Sequence, residues 1–143
     1  ARIFMDEDLA DEGVLVQGKE KIIPEHLKHG IEITWENARL DVGQGVVVSE
    51  GTVLAVEAFE GTNQMLERAG KFGAKNCLLV KLGKTKQDTR FDVPVFGLQT
   101  LKAMKEAGIG NAALETDSVL LMDKPQVVAE AKKLGIGLSG ISK

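Results

Sequence analysis

Residues 76–94 read Asn-Cys-Leu-Leu-Val-Lys-Leu-Gly-Lys-Thr-Lys-Gln-Asp-Thr-Arg-Phe-Asp-Val-Pro and carry the most informative transition in the chain. The apolar run at 76–80 predicts a buried strand, and a polar loop from Lys81 to Pro94 follows it. This loop interleaves cations with carboxylates. Phosphate chemistry uses both, because cations hold anionic oxygens and carboxylates hold a metal ion or orient water. A solvated surface loop with balanced charges is the alternative that the residues leave open.

Outward from this loop, predicted strands and helices alternate along the chain. Helices are predicted over 25–40, 62–72, 98–107 and 124–134, and strands over 44–48, 52–57, 75–80, 93–97, 112–115, 118–122 and 136–141. The first two strands flank Ser49-Glu50-Gly51, which is turn chemistry, so they predict an antiparallel hairpin. The pattern predicts one α/β domain over residues 1–143, with a mixed β-sheet, that hairpin and flanking helices.

Apolar spacing also predicts which helix residues face the core. These are Leu27, Ile31, Trp35 and Ala38 in the first helix, Met65, Leu66, Ala69 and Phe72 in the second, Leu98, Leu101 and Met104 in the third, and Val127, Val128, Ala131 and Leu134 in the fourth. The single cysteine, Cys77, lies in the apolar run and is expected to be a buried thiol in a reducing compartment.

Composition narrows the classes of partner. The 143 residues carry a formal net charge of -3, with 4% aromatic residues and no tyrosine, which argues against nucleic-acid binding. No apolar segment approaches the roughly 20 residues that span a bilayer, and no signal peptide opens the chain. We therefore expect a cytoplasmic protein without a transmembrane segment.

Three segments are candidate binding sites. Glu60-Gly61-Thr62 leads from a strand into a helix, where backbone N–H groups suit phosphate, although Thr62 could be a plain helix cap. In the charged loop, Asp88 and Asp92 are candidate Mg²⁺ ligands and Arg90 a bidentate phosphate contact, unless Asp88 and Arg90 simply pair with each other. Residues 41–44 at the junction of helix and hairpin are the third candidate, with Asp41 satisfying backbone groups as the alternative.

Several motifs occur in a fixed order along the chain: Asp41-Val42-Gly43-Gln44, Glu60-Gly61-Thr62, Lys81, Gln87-Asp88-Thr89-Arg90-Phe91-Asp92-Val93-Pro94, Gly97-Leu98-Gln99-Thr100 and Leu120-Leu121-Met122-Asp123. Their order and spacing resemble the C-terminal domain of the LpxI family, the UDP-2,3-diacylglucosamine pyrophosphatases of bacterial lipid A synthesis. The resemblance covers residues 32–141, and the string from Gln87 to Pro94 is its most specific part.

The resemblance implies a Mg²⁺-assisted attack of water on the substrate pyrophosphate, which releases UMP and the diacylated sugar phosphate. By position, Asp88 resembles the essential carboxylate of the family. Thr62, Lys81, Gln87 and Arg90 resemble phosphate or sugar contacts.

Family members carry another α/β domain before this one, which is absent from these residues. We therefore expect weak or no turnover by this chain alone. The expected partner is an acylated UDP-sugar, reached through peripheral contact with the inner membrane. Two further readings stay open, a non-catalytic phosphate- or lipid-binding module and a homo-oligomer assembled through the hairpin.

Overall fold

The main sheet of the computed structural model is mixed, as the sequence predicts, and the structure describes residues 13–83 and 94–142. The strands are β1 (Gly13–Val16), β2 (Gly45–Ser49), β3 (Thr52–Val56), β4 (Cys77–Lys81), β5 (Val95–Phe96), β6 (Asn111–Glu115), β7 (Leu120–Leu121) and β8 (Gly137–Ile141). The helices are α1 (Pro24–Arg39), α2 (Thr62–Gly70), α3 (Leu98–Ala107) and α4 (Lys124–Leu134).

The strand order brings the ends of distant segments together. The main sheet runs β1-β8-β6-β4-β2-β3, and β5 pairs with β7 in a separate small sheet. Strands β4, β6 and β8 are parallel, whereas β2 runs antiparallel to both β4 and β3. The carboxyl ends of β3, β4, β6 and β8 therefore lie at the same edge as the beginning of β2. We call this the carboxyl edge, and the opposite one the amino edge.

The helices cover the two faces of the sheet. Helix α1 packs on β2 and β4, over a small apolar cluster that includes Val48 and Val80. The other face carries the larger cluster, which joins Leu79 of β4 to Met65 of α2, Leu101 of α3 and further residues of α4. The predicted layering of helices on a sheet is confirmed.

Helix α1 shows why its predicted inward face was partly wrong. Trp35 is exposed, and the buried positions instead include Gly30 and Thr34. A Cβ placed on Gly30 would lie 2.9 Å from Val80 Cγ2, so this glycine lets the helix backbone approach the sheet closely. The close approach sets the rotation of the helix and turns Trp35 outward.

The predicted bounds of α3 and α4 are confirmed, whereas two predicted core residues near helix ends are wrong. Leu98 begins α3 and is exposed, and Phe72 lies beyond the end of α2 and is exposed as well. Helix α2 ends at Gly70, so the spacing that placed Phe72 inward no longer applies there. Cys77 is buried, as predicted.

Helices α2 and α3 are in close contact through small residues. A Cβ on Gly70 would lie 2.8 Å from both Cα and Cβ of Ala107, so no side chain fits between the two backbones. The last turns of α2 and α3 therefore pack directly against each other. Among the described residues, no helix has the length and apolar character that crossing a membrane requires.

Candidate functional site at the carboxyl edge

Charged and hydroxyl side chains from three separate segments meet at the carboxyl edge. Lys81 is the last residue of β4, Thr62 is the first of α2, and Glu57 directly follows β3. Strands β3 and β4 both flank β2 and end at this edge. Thr62 therefore comes within hydrogen-bonding distance of Lys81, 19 positions later in the chain, and of Glu57, 5 positions earlier. The sequence predicted Lys81 and Thr62 as site residues, and the structure brings them together.

The three side chains form a chain of hydrogen bonds. Lys81 Nζ donates to Thr62 Oγ1 at 2.6 Å, and Thr62 Oγ1 donates to Glu57 Oε1 at 3.0 Å. A hydroxyl has one proton to give, so donation to Glu57 turns its lone pairs toward Lys81. Lys81 is only 6% exposed, which makes it a buried cation held at a defined place at the sheet edge.

The beginning of α2 adds backbone donors to this edge. The prediction that Thr62 caps the helix is wrong, because Gly61 occupies the cap position and, among residues 13–83 and 94–142, no side chain caps the helix there. Gly61 has φ 88°, a conformation that favours glycine, and a Cβ on it would meet no neighbour within 4 Å. The first turn of α2 therefore retains N–H groups that suit an anion.

Arg68 holds the turn that leads into α2. Its guanidinium donates to both carboxylate oxygens of Glu60 and, through Nη2, to the carbonyl of Val56 at 3.0 Å. This hydrogen bonding lowers the pKa of Glu60 below its ordinary value. The carboxylate stays ionised at neutral pH and turns toward Arg68, so the turn presents Gly61 and Thr62 toward the carboxyl edge.

The predicted segment 41–44 lies beside the same edge. Gly43 packs so closely on the backbone of Glu57 that a Cβ would lie 2.1 Å from its carbonyl oxygen. Asn37 Nδ2 donates to the same carbonyl at 3.0 Å. Gln44 accepts the N–H of Leu82 at 2.9 Å through its own carbonyl, and its buried side-chain Nε2 has no hydrogen-bond partner in the described part of the chain. The segment fixes the backbone from which Glu57 projects.

Glu115 is a residue of this edge that the sequence analysis missed. It ends β6, is 9% exposed, and accepts the backbone N–H of Gly83 through Oε1 at 2.7 Å. The sequence did contain a signal for Glu115: an acid directly after the apolar run Ala112-Ala113-Leu114 is unusual in a buried strand. Its neighbour could not be read from the sequence, since Gly83 lies 32 residues away.

Gln87, Asp88, Arg90 and Asp92 lie in the segment 84–93, outside the described residues. Within residues 13–83 and 94–142 there is no group of three or more His, Cys, Asp or Glu side chains placed to hold a metal ion, and that range includes His26 and His29. Mg²⁺ needs only one or two carboxylates, with waters and phosphate oxygens completing its shell, so Asp88 and Asp92 fit it by residue type.

Comparison with known proteins gives two concordant matches. A family model described as the LpxI C-terminal domain matches residues 11–139. The chain is also similar to UDP-2,3-diacylglucosamine pyrophosphatase LpxI of Caulobacter vibrioides (strain ATCC 19089 / CIP 103742 / CB 15), with 37% identity over 135 residues. That match covers 87% of this chain and 48% of the relative, so the chain spans about half the length of the curated protein.

Proposed function

The chain belongs to the LpxI family, as its C-terminal domain, and on that premise we propose that a protein containing it hydrolyses the pyrophosphate of UDP-2,3-diacylglucosamine. Water attacks one phosphorus atom and the bridging oxygen leaves with the other. The products are UMP and 2,3-diacylglucosamine 1-phosphate, an intermediate of bacterial lipid A synthesis. We use "two-domain protein" below for this domain joined to the preceding domain of the family.

The observation that carries the proposal is the buried ammonium of Lys81 at the beginning of helix α2. Its Nζ lies 2.6 Å from Thr62 Oγ1, beside the N–H groups of the first turn of α2. A cation and oriented N–H donors at the end of a strand suit the negative charge of a diphosphate. Pyrophosphate hydrolysis needs charge neutralisation and a positioned water more than covalent catalysis, and this edge supplies the first.

The proposed roles of the loop residues follow from their types and from the family resemblance. Asp88 is the essential carboxylate, and Gln87 and Arg90 contact phosphate or sugar. Asp88 together with Asp92 would hold Mg²⁺, which supplies Lewis-acid stabilisation of the phosphate charge when bound. Gly83, the last described residue before segment 84–93, lies at the carboxyl edge, where its N–H contacts Glu115 at the end of β6.

The decisive experiment is UMP release from UDP-2,3-diacylglucosamine by the two-domain protein. Asp88→Ala is expected to abolish release, whereas Glu106→Ala, an exposed acid on α3, should leave it intact. Both variants should retain the unfolding midpoint of the unchanged protein. Substrate binding without UMP release in the unchanged protein would favour a non-catalytic binding module instead. Survival of activity in Asp88→Ala would refute the role given to that residue.

Three further proposals follow, and the first concerns the activity of the isolated domain. This domain alone is expected to turn over weakly or not at all, because the preceding domain of the family would complete the substrate cleft. An assay of the isolated chain beside the two-domain protein tests this. Full activity of the isolated chain would contradict it.

Peripheral contact with a membrane is proposed for the same edge of the molecule. The substrate is acylated, and exposed apolar side chains flank the site at Leu40, Val42 and Phe59. Exposed apolar groups beside a site for a lipid-linked substrate suit a bilayer surface. Phe59→Asp should reduce co-sedimentation with anionic vesicles, with Phe72→Asp as the control because Phe72 is exposed beyond the other end of α2.

Self-association through the hairpin is proposed as a property of the sheet border. β3 is the terminal strand of the main sheet, so its outer side can pair with another strand. Light scattering of the two-domain protein tests it. A purely monomeric mass would exclude pairing through β3.

A further inference from the structure

Glu115 is a buried acid whose use is not explained by the proposed chemistry. Its carboxylate lies at the end of β6, one position beyond Leu114, which is the parallel partner of Lys81. An acid beside a diphosphate repels it, so direct contact with substrate phosphate is an unfavourable role. Instead, Oε1 accepts the N–H of Gly83, two residues after Lys81, at 2.7 Å.

The backbone after Lys81 is held from both sides. Leu82 donates its N–H to the carbonyl of Gln44 at 2.9 Å, and Gly83 donates its N–H to Glu115. The N–H of Leu82 is thus bound to the segment before β2, and the next N–H, of Gly83, is bound to the end of β6. Rotation of the strand end would break both hydrogen bonds, so the Cα from which the Lys81 side chain extends is fixed.

Gly83 makes this arrangement sterically specific. A Cβ on it would lie 2.3 Å from Ser118 Cβ and 3.2 Å from Glu115 Oε1, so no side chain fits. The glycine allows the backbone N–H to reach the carboxyl group of Glu115 at 2.7 Å. Burying an acid lowers the stability of a fold unless its oxygens are hydrogen-bonded, so a buried acid at this position indicates a specific role.

We propose that Glu115 is a positioning residue for the reaction: it fixes the backbone at Gly83 and so holds the Lys81 ammonium against Thr62 at the phosphate site. The proposal rests on the proposed function. It assigns Glu115 no contact with the substrate and no proton transfer. Its effect on turnover passes through Lys81.

Kinetics of the two-domain protein test this with a graded pair of substitutions. Glu115→Ala removes the acceptor and should lower kcat by about tenfold to a hundredfold, with a smaller change in KM, as expected for misplacement of a catalytic group. Glu115→Gln keeps an acceptor oxygen for the N–H of Gly83 and should therefore retain most of the kcat of the unchanged protein. Glu106→Ala is the control for loss of an acid. Equal kcat in Glu115→Ala and the unchanged protein would overturn the proposal.

A double-mutant cycle separates positioning from a general loss of stability. In a Lys81→Met background, Glu115→Ala should lower kcat by less than about twofold, since the group it positions is already gone. Independent, additive losses would overturn the proposal.

Amide hydrogen exchange of the same variants gives a readout that needs no activity. Glu115→Ala should speed exchange at Gly83, while Glu115→Gln should leave it slow. Unchanged protection of Gly83 in Glu115→Ala would refute the hydrogen bond's positioning role. Absence of UMP release by the unchanged protein would instead refute the proposed function, so the two failures are distinguishable.

Discussion

The two edges of the main sheet both bury polar side chains, yet they use them differently. At the amino edge, Ser49 Oγ donates to the carbonyl of Lys75 at 2.5 Å, and Asn111 Nδ2 donates to the carbonyl of Glu20 at 3.0 Å. At the carboxyl edge, Lys81 donates to the side chain of Thr62. At the amino edge these polar groups hold backbone in place, whereas at the carboxyl edge a charged group is held through another side chain, where it can meet an anion.

The difference follows from strand direction. The loops after parallel strands leave from their carboxyl ends, which is where α/β proteins bind ligands. At the amino edge, neighbouring segments of backbone only have to be held against the sheet. Hydrogen bonds from the neutral side chains of Ser49 and Asn111 are enough for that. The comparison therefore predicts that substitutions at the carboxyl edge lower activity, whereas substitutions at the amino edge lower stability.

The largest effect is expected from removing divalent metal. Chelation of the two-domain protein with EDTA should abolish UMP release, because Asp88 and Asp92 are proposed to hold Mg²⁺ that neutralises phosphate charge. Added Mg²⁺ should restore it. Full activity after exhaustive chelation would remove the metal from the proposal and leave Lys81 as the main source of positive charge at the carboxyl edge.

Lys81→Met should lower kcat/KM by about a hundredfold or more, the range seen when one preorganised charge donor is lost. The free energy of unfolding should fall modestly, because Thr62 loses one hydrogen-bond partner while its bond to Glu57 remains. Lys132→Met, at an exposed lysine of α4, is the control. If Lys81→Met lost stability but kept its activity, the assignment of activity to the carboxyl edge would be contradicted.

Thr62→Val should lower kcat/KM by about tenfold, because it removes the hydroxyl that links Lys81 to Glu57 while keeping the side-chain shape. Thr52→Val, at the exposed beginning of β3, should have no effect on activity. Steady-state UMP release measures both. If the two variants behave alike, the link between Lys81 and Glu57 has no part in turnover.

Asn111→Ala tests the amino edge. It should lower the free energy of unfolding by about 1–3 kcal/mol, because it leaves the carbonyl of Glu20 without its donor. kcat per folded molecule should stay unchanged. Gln126→Ala on exposed α4 is the stability control, and urea unfolding with parallel kinetics gives both values. A kcat loss would show that the edges are coupled.

The smallest effect concerns Cys77, which begins β4 at the amino edge. Burial raises the pKa of its thiol above the ordinary value of 9.0. As pH rises above about that value, the unfolded chain loses the proton before the folded one, so stability falls in alkaline solution. Cys77→Ala should remove this part of the pH dependence in urea unfolding between neutral and alkaline pH. An identical alkaline slope in both proteins would contradict it.

Local patterns predicted much of the fold. The bounds of α3 and α4 and the β2–β3 hairpin follow from apolar spacing, turn residues and terminal glycines. Strand β1 was missed because it is four residues long and mostly not buried, and because its partner β8 lies far along the chain. Trp35 was misplaced because the close approach of Gly30 to the sheet, and not hydrophobicity, sets the rotation of α1.

In the candidate site, the sequence suggested residue types but not the contacts between them. Thr62 and Lys81 were chosen from motifs, and the structure places them 2.6 Å apart. The bond between Lys81 and Thr62 and the contact of Glu115 with Gly83 were not predictable, since each depends on strand order across the sheet. The predicted site residues within 84–93 stay predictions.

The contact of Gly70 with Ala107 has a mechanical consequence. At Gly70 the backbone of α2 lies so close to Ala107 that the last turns of α2 and α3 are wedged together. One added methyl group at Gly70 would force these two helix ends apart, because its carbon would lie 2.8 Å from Cα and Cβ of Ala107.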